Sequence, residues 1–335
     1  MIGLLRIRAN AITIKKGGLN LDIQFLLFLQ GIREATGGFF DEFFNALSKF
    51  AVDILPFLPY IIFWCVDKKW GYRFIAATWI GEVVNGIIKL SVCAYRPWIR
   101  SAEIEPAGDS KTAATGYSFP SGHSVVSALH YGNTAAWQWN RRRWISIVCI
   151  VLILLTGFSR NFLGVHTPQD VIVGITEGLV LVTVIGIVSK KIEGKEKVQN
   201  ILTVIGLLAI VATILYITLK PYPMDYNEEG KLLVDPQKMM NDCFKGCGGL
   251  LAFLTGSFIE RRYIRFEIPS GSAKLPILAC VGFALMLAWK ELFAPATIVS
   301  LLGSHWGNFI AMFIMVLFAI LAWPLVIRKA CAEKE

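Results

Sequence analysis

Three short stretches carry residue types able to grip and cut a phosphate-like anion. In KLSVCAYRP, residues 89–97, Lys89 and Arg96 stand seven apart, two turns along one helix face. Pro97 then stops the helix. Two cations on one face suit an anion with several oxygens, and Glu82 and Asn85 continue that face inward as possible partners for Lys89. In FPSGHS, residues 119–124, Pro120 suits the first position of a helix, with Ser118 as a possible cap. A helix start offers free N–H groups to an anion. Gly122 allows close approach, Ser121 adds a hydroxyl, and His123 can give or take a proton near neutrality. In SRNFLGVHTPQD, residues 159–170, Arg160 ends one helix and His166 lies in the turn. Thr167 and Pro168 open the next helix. Asp170, four residues after His166, can both orient that ring and serve the helix start.

These pieces predict one pocket: three cations, a helix N-terminus, two histidines and a single acid. It contains no carboxylate cluster for a divalent ion, so no metal or other cofactor is expected. The elements that position it must be membrane helices. Of 335 residues 55% are hydrophobic and only 17% charged, and the mean hydropathy is +0.57. About nine apolar stretches are expected to span: 52–66, 72–95, 123–139, 144–163, 169–189, 199–219, 244–260, 275–291 and 307–327. Residues 21–50 are expected to form helices along the interface, giving an all-α polytopic bundle with interfacial N-terminal helices. The expected division is 1–50 interfacial, 51–195 catalytic and 196–335 a C-terminal set of spans. No apolar stretch near the start ends in a cleavage pattern, so no signal peptide is expected.

The net charge of +9 reads as topology rather than as a nucleic-acid surface. Loops 67–73, 140–143, 189–197 and 260–274 and the tail from 328 hold 17 Lys and Arg, against seven in the opposite loops. The first set, with the C-terminus, is therefore expected in the cytoplasm. All three anion-binding stretches then face outward, from the plasma membrane in the simplest case. Trp98, Tyr117 and Phe119 flank them as interfacial aromatics would. His130 reads as a hydrogen-bonded helix contact, and Lys290 and Glu291 as a snorkelling or paired helix end. The seven cysteines read as small apolar residues, and the glycines of 246–258 as a close-packing stripe.

The three stretches resemble the signature of the type-2 phosphatidic acid phosphatase superfamily, K-x(6)-R-P, P-S-G-H and S-R-x(5)-H-x(3)-D. Here they read Lys89…Arg96-Pro97, Pro120-Ser121-Gly122-His123 and Ser159-Arg160…His166…Asp170. The resemblance covers roughly residues 50–190, and the nine-span layout is similar to the glucose-6-phosphatase and sphingosine-phosphate phosphatase branches. It implies a metal-independent membrane phosphatase. His166 would attack phosphorus to form a phosphohistidine, Asp170 would orient it, and His123 would serve the leaving group. Lys89, Arg96, Ser121, Gly122 and Arg160 would hold the phosphate. The expected partner is an amphiphilic phosphate from the bilayer, a phosphomonoester or diphosphate, with its tail among helices 72–95, 123–139 and 144–163. A soluble sugar phosphate, a phosphotransferase on the same site, and a non-enzymatic lipid-phosphate binding or transport protein are the other readings.

Overall fold

The computed structural model describes residues 20–332 apart from 115 and 270; the first 19 residues of the expected interfacial segment lie outside that range. Among the described residues the chain is helical without strands, apart from one isolated bridge between Tyr226 and Leu232. The helices are α1 (Leu21–Ala35), α2 (Asp41–Asp53), α3 (Leu58–Cys65), α4 (Lys68–Val92), and the short α5 (Pro97–Arg100) and α6 (Ser110–Ala113). There follow α7 (Gly122–Gln138), α8 (Arg143–Phe162), α9 (Pro168–Ile192), α10 (Glu196–Leu219) and α11 (Pro236–Ile259). The chain closes with α12 (Leu275–Ala288), α13 (Ser300–Leu302), α14 (Ser304–Leu317) and α15 (Trp323–Ala332). A π-helical stretch, Trp289–Val299, joins α12 to α13, and another, Phe318–Ala322, joins α14 to α15.

The protein is an integral membrane protein. Among the described residues seven stretches are long and apolar enough to cross a bilayer, by length and composition: Asp41–Cys65, Lys68–Arg100, Arg143–Phe162, Pro168–Ile192, Glu196–Leu219, Leu275–Leu302 and Ser304–Ala332. By this measure seven of the described stretches qualify, against the nine expected. The two expected spans outside this set are α7, at 17 residues, and α11, which carries Lys238, Asp242 and Lys245 in its first half. The first span is longer than expected, because α2 runs through a 3-10 turn at Leu55–Phe57 into α3. Part of the segment expected at the interface therefore belongs to a spanning stretch. α10 shows the pattern of a helix in lipid: it buries Ile210, Thr213 and Ile217 and leaves Leu208 65% exposed.

Small residues let the helices close on one another. In α9, a Cβ at Gly174 would stand 2.7 Å from the Ser121 carbonyl oxygen, and one at Gly178 would stand 2.5 Å from Ala128 Cβ. α9 is thereby pressed against the start of α7. The expected glycine stripe of α11 does the same: a Cβ at Gly249 would meet the Trp79 ring of α4, and one at Gly248 would meet Phe309 of α14, both at 2.1 Å. The largest core lies along this seam and includes Trp64, Trp79, Phe244, Met312 and Trp323. α7 is enclosed by α4, α8 and α9, with Val125, Ala128 and Leu129 buried.

Basic loops gather at one end. Lys68 pairs with Glu260 at 2.7 Å, Lys69 pairs with Glu193, and Arg328 donates to the Ile264 carbonyl. At the other end the Ser118 N–H donates to the Ala94 carbonyl, Ala107 to that of Leu163, and Arg100 pairs with Asp22 of α1 at 2.8 Å.

Candidate active site

The second end is where the three stretches meet. α4 brings Lys89 to its last turn and stops when Cys93 turns left-handed at φ 53°. Pro97 then opens α5, with Arg96 as its extended N-cap residue. Contrary to expectation, Pro120 is not the first helical residue of α7. Ser121 is the N-cap, its Oγ accepting from the Ser124 N–H, and Gly122 comes first. Ser118, expected to cap that helix, is committed elsewhere. α9 begins as expected, with Thr167 as N-cap, Pro168 first, and Asp170 completing a capping box.

His166 is 2% exposed and held on every side. Its carbonyl accepts from Asn161 Nδ2 at 2.8 Å. Arg96 Nη1 lies 2.8 Å from its Nε2. A guanidinium only donates, so Nε2 carries the lone pair and the ring proton sits on Nδ1. Nδ1 faces Asp170 Oδ2 and Ser118 Oγ, each at 3.4 Å. The same carboxylate oxygen accepts from Ser118 Oγ at 2.6 Å and from the Thr167 N–H at 2.8 Å. Burial, and next the Arg96 charge, hold the imidazole well below its ordinary pKa, with Asp170 opposing. The ring is therefore a neutral imidazole whose lone pair points at a cation.

The other cations surround it. Lys89 is buried, and its Nζ donates to the Pro120, Tyr117 and Ser118 carbonyls rather than to Glu82. Arg160, 2% exposed, donates from Nη1 to Ser48 of α2. Its Nε is buried with no hydrogen-bond partner among the described residues. Among those residues Lys89 and Arg160 have no carboxylate at ion-pair distance, and buried cations of this kind call for an anion. Ser121 Oγ accepts from the Ser124 hydroxyl at 2.9 Å, which leaves its own proton to donate outward. A Cβ at Gly122 would meet only Asn85 Oδ1 at 3.7 Å and Lys89 Cε at 3.9 Å, so what it would occupy is open space beside Lys89. His123 is half-buried, and the positive charges that reach it are those of Arg160, Arg96 and Lys89.

The eight expected residues thus converge from four elements. Residues 70–193 match the family model described as PAP2 superfamily. This segment belongs to the PAP2 superfamily. It holds all eight residues and extends from α4 through α9. An undecaprenyl-diphosphatase of Sulfolobus acidocaldarius is 25% identical over 130 residues, 38% of this chain and 60% of that protein. Phosphatidylglycerophosphatase B of Bacillus subtilis is 31% identical over 121 residues, 33% and 59% of the two chains. Lipid phosphate phosphatase delta of Arabidopsis thaliana is 24% identical over 203 residues, 54% and 47%. The chain thus spans less than two thirds of the length of each. No solved structure matches it.

Around the PAP2 motifs some residues escaped sequence reasoning. Ser48 lies 112 residues from Arg160 and outside the PAP2 segment, so no local signal could join them. Asn161, inside the third stretch, holds the His166 carbonyl, and Ser118, expected only as a helix cap, holds the carboxylate behind the ring. Tyr117, expected at the interface, is fully buried beside Tyr95. His130 is, as expected, a helix contact, with Nε2 3.1 Å from Thr78 Oγ1. Lys290 pairs with Glu291 at 3.0 Å.

Proposed function

We propose that the protein is a membrane phosphatase that hydrolyses a lipid phosphate through a phosphohistidine, with the site on the extracytoplasmic face. The observation that carries this reading is the His166 ring: its Nε2 lone pair lies 2.8 Å from Arg96, and its Nδ1 faces Asp170. In the first step Nε2 attacks phosphorus and the bond from phosphorus to the ester oxygen breaks. His123 gives its proton to that oxygen. Lys89, Arg96, Arg160, Ser121 Oγ and the Gly122 N–H hold the remaining oxygens, where charge builds. In the second step His123 takes a proton from water, the water oxygen attacks phosphorus, and the P–N bond breaks. Asp170 stays ionised throughout and stabilises the substituted ring. The buried cations supply the neutralisation that a divalent ion gives elsewhere, so activity should persist in excess chelator.

The names of the relatives support a lipid as substrate, and the exposed apolar helices support its supply from the bilayer. The excess of Lys and Arg at the opposite end supports the outward orientation of the site. His166→Ala is expected to lower phosphate release in detergent by about 10³ or more while the protein still purifies folded. Acid quenching of wild type with labelled substrate should trap an acid-labile phosphoenzyme that His166→Ala lacks. Near-normal turnover in the folded variant would remove His166 from the chemistry.

A further inference from the structure

From Lys89, Gly122 and His123 a chamber of about 490 Å³ runs inward between the PAP2 segment and the C-terminal helices. Asn85 of α4, one turn inward of Lys89, stands in its wall with those three residues. Asn85 was expected as a possible partner of Lys89, but Lys89 Nζ donates to three backbone carbonyls instead. The amide is held from behind. Glu177 Oε2 accepts from Asn85 Nδ2 at 3.3 Å. Glu177 stands on α9 between Gly174 and Gly178, the two glycines that press that helix on α7. With its nitrogen tied in this way, Asn85 turns Oδ1 toward Gly122, 3.7 Å from where a Cβ on that glycine would stand. Among the described residues nothing donates to that oxygen. A hydrogen-bond acceptor with no donor of its own therefore faces the open space beside Lys89 and Gly122.

We infer that Asn85 Oδ1 orients the water that breaks the phosphohistidine, and that Glu177 is a positioning residue for Asn85. The inference rests on the phosphatase reading and adds to it a group that serves the second step alone. Displacement at phosphorus runs in line, so the ester oxygen departs from, and the water later enters at, the place across from His166. His123 serves both oxygens there, and it shares the chamber wall with Asn85. The two oxygens differ in their protons. The ester oxygen has none, and the phosphate oxygens accept as Asn85 Oδ1 does, so the first step offers Asn85 no donor. Water brings two protons. As its oxygen bonds to phosphorus and the P–N bond breaks, one proton passes to His123. The other stays on the oxygen and is donated to Asn85 Oδ1, which aims the water's lone pair at phosphorus. An alcohol brings a single hydroxyl proton, which His123 takes, and so gains nothing from Asn85.

Added methanol tests this. Methanol and water compete for the same phosphohistidine, giving methyl phosphate and inorganic phosphate. The ratio of the two products is independent of how fast the phosphoenzyme forms and of how much of the protein is folded. The probes are radiolabelled diacylglycerol phosphate and radiolabelled dodecyl phosphate, in detergent at fixed methanol. In Asn85→Leu the ratio of methyl phosphate to inorganic phosphate should rise about tenfold over wild type, the effect of one lost hydrogen bond to the attacking water. Glu177→Met frees the amide to turn and should raise the ratio severalfold. The two variants lie on different helices, so a folding defect in one leaves the other to decide. A ratio unmoved in the folded variants, whatever their turnover, overturns the inference and leaves the Asn85–Glu177 pair as a fastening between α4 and α9. Absence of both products from both lipids in wild type overturns the phosphatase reading itself.

Discussion

At the scale of single residues, Asp170 and Gly122 separate chemistry from stability. Asp170 accepts from the Thr167 N–H, Ser118 and the His166 ring at once. Asp170→Asn keeps an oxygen for the Thr167 N–H but loses the charge behind the imidazole. It should lower turnover at least about a hundredfold with little change in melting temperature. Asp170→Ala should lose turnover and also about 1 kcal/mol of stability with the cap. Parallel melting and turnover measurements distinguish the two. Gly122 makes the opposite case. Nothing in the protein opposes a Cβ there, so Gly122→Ala should fold as well as wild type and yet lose turnover, because the methyl takes space beside Lys89. Equal turnover would mean that no anion comes to that spot. The ring itself can be watched. Burial and Arg96 depress the His166 pKa, so the neutral form persists as pH falls through the usual value near 6.5 and protonation comes only below it. With four histidines in the chain, nitrogen NMR of the substrate-free protein, assigned with His166→Asn, should show that ring neutral at pH 6. A midpoint at 6.5 or above would contradict the depression. All eight of these residues were legible in the sequence, because each motif is local and its spacing is that of one helix face or one turn. Ser48 was not, because tertiary folding alone brings it to Arg160.

At the scale of elements, the site depends on how closely α9 approaches α7. The Ser121 N–H donates to the Asp170 carbonyl at 2.9 Å, so the start of α9 and the N-cap of α7 are tied directly. Gly174 sits one turn below, where a Cβ would lie 2.7 Å from the Ser121 carbonyl oxygen. Gly174→Ala should therefore cost about 1–3 kcal/mol and shift Ser121 away from the phosphate. Turnover should fall by more than the loss of folded protein accounts for, as judged by activity per mole of monodisperse protein. Helix existence could be read from apolar runs, but boundaries could not. Pro120 and Ser118 both satisfied the rules for a helix start, and the choice of Ser121 as cap was made by the bond to α9. The expected first span likewise began too late: its apolar run starts near Val52, whereas packing of Phe44 on Phe158 and Phe162 draws the chain before it into the bundle.

At the scale of the whole molecule, the PAP2 segment and the C-terminal helices form one body. α11 packs on α4 with its glycines, and far from the site Glu260 fastens the two halves. That carboxylate is fully buried and accepts from Lys68 at 2.7 Å, from the Phe266 N–H at 2.6 Å and from Tyr72. Glu260→Ala leaves the Phe266 amide and the Tyr72 hydroxyl without their acceptor and should cost about 1–3 kcal/mol, seen as a lower melting temperature. Because Lys68 and Lys89 are 21 residues apart on α4, about 30 Å of helix, the protein that remains folded should keep its turnover. No local pattern marks this junction, since the partners are 192 residues apart.

The shared chamber has one more consequence. Its wall nearest the phosphate comes from the segment that matches the family, but Met239, Lys245, Lys290 and Met312 come from outside it. An inhibitor anchored by a phosphonate at the motif residues and extended against those four side chains would touch surface beyond the common architecture. Selectivity among related enzymes would then be set at the far end of such a compound, away from the atoms that react.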